Sequence, residues 1–193
     1  KFGILFISLS IFLIMTVFAF TQTAKAEEIH FNNDIFILKY STLSQLNKGY
    51  ENEYYLKNEG KNNWTKMVGI YYYPEVSNPL KFADKECKTI ESTETNVLLK
   101  FIENKKADKA ALSYLQNGSA NGKNFFEYNI FKYEKSKNCG TIAFQYAKKF
   151  QVYDNQEVAE VKKKFSKFRP RAMKKINDFE IPDVVEIKLN DLP

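Results

Sequence analysis

From position 97 to 150 the chain runs through four apolar-rich stretches, 97–102, 110–116, 125–133 and 141–150. The links between them carry turn chemistry: Asn104-Lys105-Lys106, the pairs Asn117-Gly118 and Asn121-Gly122, and Lys137-Asn138-Cys139-Gly140. In the last stretch Ile142, Phe144, Tyr146 and Phe150 share one parity with Lys148, while Thr141, Ala143, Gln145, Ala147 and Lys149 share the other. Side chains on a strand point alternately to opposite faces, so this region reads as an antiparallel meander with one buried face and one wet or helix-covered face.

The preceding residues add strands and one helix. Positions 29–31, 34–40 and 50–56 look extended, and the polar stretch 57–66 reads as a hairpin loop leading into a strand over 67–73. Pro74 ends that strand, because it cannot donate to a ladder. Ser77 or Asn78 then caps a helix with Pro79 in its first position, and Leu80, Ala83, Cys87 and Ile90 form its apolar stripe. Near the C-terminus Asp154 or Asn155 caps a second helix striped by Val158, Val161, Phe165 and Phe168. Pro170 is expected to interrupt it, with Ala172, Met173 and Ile176 continuing as a short further helix and 178–193 as an extended tail. The expected fold class is α+β: an antiparallel sheet with one mid-chain helix and a C-terminal helix, in a single domain over 27–177.

The first 26 residues have a different character. Lys1 precedes an apolar run over 3–20, which ends in polar residues and the small-residue pattern Ala24-Lys25-Ala26. That order is a secretory signal peptide, with cleavage expected after Ala26 and retention as an N-terminal anchor as the rival reading. Export places the folded domain in the periplasm or outside the cell. There Cys87 and Cys139, the only two cysteines, are expected to pair as a disulfide; two separate thiols are the alternative.

The order of strand, polar hairpin, strand, proline-led helix, meander and closing helix resembles small exported domains of the Mog1/PsbP-like fold. The residues that carry the resemblance are Tyr54-Tyr55-Leu56, Asn63-Trp64-Thr65-Lys66-Met67-Val68 and the two cysteines. It implies an accessory or binding protein, and it implies fold more strongly than function.

Enzymatic signatures are missing from the sequence: it holds no G-x-S-x-G, H-E-x-x-H, Walker glycine-lysine loop, dinucleotide-binding glycine cluster or S-x-x-K. With one histidine, His30, and two cysteines the chain falls short of a closed zinc site, so no metal, cofactor or catalytic residue is expected. Glu51 and Glu53, which share a strand parity, read as solvated acids. Two features are candidates for binding, each with a packing role as the alternative reading: a loop tryptophan that caps the core, and a closing helix with a solvated lysine-rich back. The first is the aromatic stretch 62–79, with Trp64, Tyr71 and Tyr73 as candidate contact residues. The second is the basic segment 161–176, in which Lys163, Lys164, Lys167 and Arg171 lie opposite the apolar stripe. The expected partner is a protein or an envelope component; an anionic membrane surface is the alternative, and export disfavours nucleic acid despite a net charge of +6.

Overall fold

The computed structural model describes residues 28–43, 49–120, 122–152 and 155–182. The signal-peptide and tail expectations, and the cap at Asp154, therefore fall wholly or largely outside the described residues.

Eight strands form one antiparallel sheet: β1 (Glu28–Phe31), β2 (Asp34–Leu43), β3 (Tyr50–Leu56), β4 (Lys66–Tyr73), β5 (Asn96–Asn104), β6 (Lys109–Ala120), β7 (Lys123–Lys135) and β8 (Thr141–Val152). Their spatial order is β1-β2-β3-β4-β8-β7-β6-β5, so two four-strand meanders meet where β4 pairs with β8. Helix α1 (Pro79–Glu91) joins the meanders and helix α2 (Asn155–Asp178) follows the second.

Strand makes up about half of the described residues and helix about a quarter, so the fold is mostly β and the expected α+β class is corrected. The physical reason lies at the strand ends. Polar residues that read as loops are ladder members: β6 runs on through Asn117 and Gly118 to Ala120, and β7 begins at Lys123. Asn117-Gly118 is thus no turn. Gly118 pairs with Phe125, whose ring lies over the space where a side chain would stand. The reversal falls between Ala120 and Lys123, where Gly122 takes φ 73°.

The helix boundaries follow local chemistry. Asn78 caps α1, its side-chain oxygen accepting from the Lys81 amide at 2.9 Å, with Pro79 behind it. Pro170 does not interrupt α2, which continues to Asp178. A proline inside a helix removes one ladder bond and crowds the preceding turn. Here Phe165 and Phe168 before it, and Ala172, Met173 and Ile176 after it, all pack on one core, which holds both halves in line.

The two sheet faces are covered differently. On one, α2 buries Phe36, Tyr54, Val68, Phe144 and Tyr146, with Tyr128 packed edge-on against Phe165 and Phe168. On the other, α1 packs over β5, β6 and β7 through Ala83 and Ile90 against Ala110, Leu112 and Tyr133. Cys87 is buried on α1 and Cys139 is exposed in the β7–β8 turn; both are free thiols, with the Tyr72 hydroxyl 3.4 Å from Cys139 Sγ.

Candidate functional site: the sheet face beside α1

The strand register sets out the α1 side of the sheet as cross-strand rows. One row runs Tyr55, Met67, Ala147, Asn129, Tyr114; the next runs Glu53, Gly69, Gln145, Phe131, Leu112; the third runs Glu51, Tyr71, Ala143, Tyr133, Ala110. Helix α1 covers the β5–β7 end of these rows and reaches β4 through the Tyr73–Phe82 ring contact, 4.7 Å between centroids. The opposite corner is closed by the β3–β4 loop. Trp64 folds back from it onto Tyr55, Met67 and Ala147, and the Lys149 ammonium stands 3.7 Å over the indole. Among the described residues, the ground between these two covers is a band of half-buried side chains: Glu51, Glu53, Tyr71, Phe131 and Tyr114.

A hydrogen-bond chain crosses this band. The Tyr71 hydroxyl donates to Gln145 Oε1 at 2.5 Å, Gln145 Nε2 donates to Asn129 Oδ1 at 2.8 Å, and Asn129 Nδ2 donates to Glu127 Oε1 at 3.0 Å. Every donor points the same way and the chain ends on a carboxylate, an arrangement in which each bond polarises the next. Beside it the Tyr55 hydroxyl donates to Glu53 Oε2 at 2.6 Å. Gly69 makes the geometry possible. A Cβ there would run into the Tyr71 ring, which lies flat along its own strand with its hydroxyl over β8.

Burial dominates the electrostatics of the band. Burial pushes the Tyr71 phenol well above its ordinary value, and the nearby Glu53 and Glu51 add to the shift. Tyr73 is raised by burial and by Glu86 and Glu51, and Tyr114 is pushed up to about 12 by burial, then Glu127 and Glu86. On α1 the Glu86 carboxyl is itself raised by burial, an effect Lys85 partly offsets. Burial is the main cause in each case, and for the three phenols neighbouring carboxylates add to it.

Of the residues singled out from sequence, Tyr71 lies in the band, Tyr73 packs at its α1 border and Trp64 closes its far end. Lys163, Lys164, Lys167 and Arg171 are exposed on α2, on the other side of the sheet, so the structure does not bring the two candidate sets together. The carboxylates Glu86 and Glu127 and the amide Asn129 had no signal in local sequence. The shared parity of Glu51 and Glu53 was visible, but pairing them with Tyr71 requires the register across the 57–65 loop.

A mostly-β domain with one open, aromatic and acidic sheet face is the class that this arrangement defines. A protein-family model matches residues 24–181, and the chain belongs to that family, one of unknown function. The match shows no relationship to the Mog1/PsbP-like fold. No curated protein and no solved structure matches the chain.

Proposed function

We propose that the chain is an exported, non-enzymatic binding domain, and that the band between α1 and Trp64 is its recognition surface for a protein or envelope component. One observation carries this reading: Tyr71, Phe131 and Tyr114 keep part of their surface accessible on a sheet face where α1 seals Leu112, Tyr133 and Ala143 and Trp64 covers Tyr55, Met67 and Ala147. Rings held rigidly by a sheet lose little freedom on binding, so they suit recognition. Export rests on the apolar run and the Ala24-Lys25-Ala26 pattern. The intact mass of the exported chain, before and after reduction and alkylation, reports both leader removal and the state of Cys87 and Cys139.

The test is to immobilise the exported chain, pass envelope extract over it and compare wild type with Tyr71→Ala plus Phe131→Ala. Lys163→Gln plus Lys164→Gln serves as the control. Retention lost only in the ring variant supports the reading. Turnover of a substrate by the purified chain, with no partner present, overturns it.

A second reading has its own observation. Lys162, Lys163, Lys164, Lys167, Arg171 and Lys174 are all exposed along the 24-residue α2, and such a row attracts an anionic membrane surface. Among the described residues no helix is long and apolar enough to cross a membrane. Liposome flotation with no preference for anionic lipid removes this reading.

A further inference from the structure

The two edges of the sheet differ. β1 is four residues long, whereas β5 runs for nine, Asn96–Asn104, and among the described residues no strand pairs with its outer side. An edge of that length presents a row of unpaired backbone groups, a template for one more strand. It also carries exposed apolar bulk: Val97 is 53% and Ile102 37% exposed. The register against β6 shifts between Leu98 and Lys100, so Val97 pairs with Leu115 and Ile102 with Ala111. Leu115 and Ala111 both pack on the α2 side of the sheet, which puts Val97 and Ile102 in one apolar strip along the open edge.

The described chain ends close to that edge. After α2, Phe179 packs against Phe31 and Phe144, and the buried Ile181 then lines a recess with Ala107 and Lys109 at the β5–β6 turn. Lys109 and Asn177 line a neighbouring recess with Ile102 and Asn104, at the end of β5. The sequence continues past Pro182 for eleven residues, Asp183 to Pro193. Extended, they span about 36 Å, against about 30 Å for the nine residues of β5. Val185, Ile187 and Leu189 alternate with Glu186 and Lys188, the period of a strand with one apolar face. A chain that leaves Ile181 at the Asn104 end and follows β5 runs antiparallel to it. With Val185 beside Ile102, the apolar parity extends the strip of Val97 and Ile102, and Asp183 falls beside the Lys105-Lys106 turn. Lys100 in mid-strand and the bulge next to it are devices that keep an edge from pairing with other molecules. A segment of the same chain overcomes them, because a short tether holds it at an effective concentration in the millimolar range.

We infer that the occupant of the β5 edge is the chain's own segment 183–190, added in the same molecule as a ninth, antiparallel strand with Val185, Ile187 and Leu189 on the side of Val97 and Ile102. It closes the long edge against other strands. The inference is independent of the recognition band, which lies on the other face of the sheet.

The test is amide hydrogen exchange, read residue by residue by nuclear magnetic resonance on the full exported chain. On a bare edge strand every second amide points to water and exchanges fast; under a ninth strand all of them are protected. Protection is expected at consecutive β5 amides, with cross-strand nuclear Overhauser contacts between 184–189 and 97–103. Val185→Ser plus Ile187→Ser plus Leu189→Ser is expected to speed exchange at the outward β5 amides at least about tenfold, with β7 unchanged as the internal control of folding. Val184→Ser plus Lys188→Ser, on the other parity, is expected to leave the protection in place. Fast exchange at alternate β5 amides of the wild type overturns the inference, and so does full protection in the triple variant. Protection that grows with protein concentration assigns the edge to a second copy and also overturns it. So do contacts from 184–189 to β1 in place of β5.

Discussion

The Tyr71 hydroxyl reaches across the β4–β8 pair to Gln145 Oε1, 2.5 Å away, and Gln145 is 8% exposed. Tyr71→Phe keeps the ring and leaves that acceptor without its donor in a nearly dry place. Loss of one such bond costs about 1 to 3 kcal/mol. The urea midpoint is expected to fall accordingly with an unchanged slope, since the surface exposed on unfolding is the same. An unchanged midpoint would mean that water replaces the hydroxyl.

Lys132 is a buried cation that ties the end of α2 to the sheet. Its ammonium donates to the Phe179 carbonyl at 2.6 Å and lies 3.2 Å from Glu134, which Lys109 approaches to 2.7 Å. A cation at a helix C-terminus satisfies carbonyls that have no partner within the helix. Lys132→Met strands the Phe179 carbonyl while Glu134 keeps Lys109, a loss of about 1 to 3 kcal/mol. Thermal unfolding checks this; a loss well under about 1 kcal/mol, the level of an exposed pair, would show that the clamp is dispensable.

The two left-handed glycines separate backbone strain from crowding. Gly122 and Gly140 have φ 73° and 72°, but only at Gly140 would a Cβ meet neighbouring backbone, that of Tyr73 and Pro74. Gly122→Ala is expected to cost about 1 kcal/mol from conformation alone. Gly140→Ala is expected to cost clearly more, because neither backbone segment can move aside without disturbing the start of α1 or the β4 end. Equal midpoints for the two variants would contradict this.

Alkaline pH tests the tyrosine-rich core. Burial pushes Tyr54, Tyr128 and Tyr146 up to about 12, against about 10 in an unfolded chain. Their folded values are raised, so their stabilising contribution is complete below pH 10 and is lost as pH climbs toward 12. Each two-unit shift corresponds to about 3 kcal/mol, and three together match the whole stability of an ordinary domain. The chain should therefore unfold within this window, with tyrosinate absorbance and loss of circular dichroism rising together. Tyrosinate forming near pH 10 in a chain that is still folded would show that these phenols are wetter than the packing indicates.

Strand positions were legible where apolar residues set the period, as in 141–150, and the Asn78-Pro79 helix start was legible because capping chemistry is local. Three things were not. Polar strand ends such as Asn117-Gly118 look like turns until their partners across the ladder are known. Pro170 reads as a break until the shared core on both sides of it is visible. The strand acids of the band, Glu51 and Glu53 on β3 and Glu127 on β7, are brought to one face only by the β4–β8 pairing, between residues from Tyr73 and Thr141 to Lys66 and Lys148, for which local pattern carries no signal.

The most direct test is to follow the backbone amides of Gly69 and Tyr71 and the side-chain amides of Asn129 and Gln145 by nuclear magnetic resonance while the retained envelope partner is added. These four signals are predicted to shift first and together, with α2 unmoved. Shifts confined to α2 around Lys163, Lys164, Lys167 and Arg171, with the sheet face silent, would contradict the account.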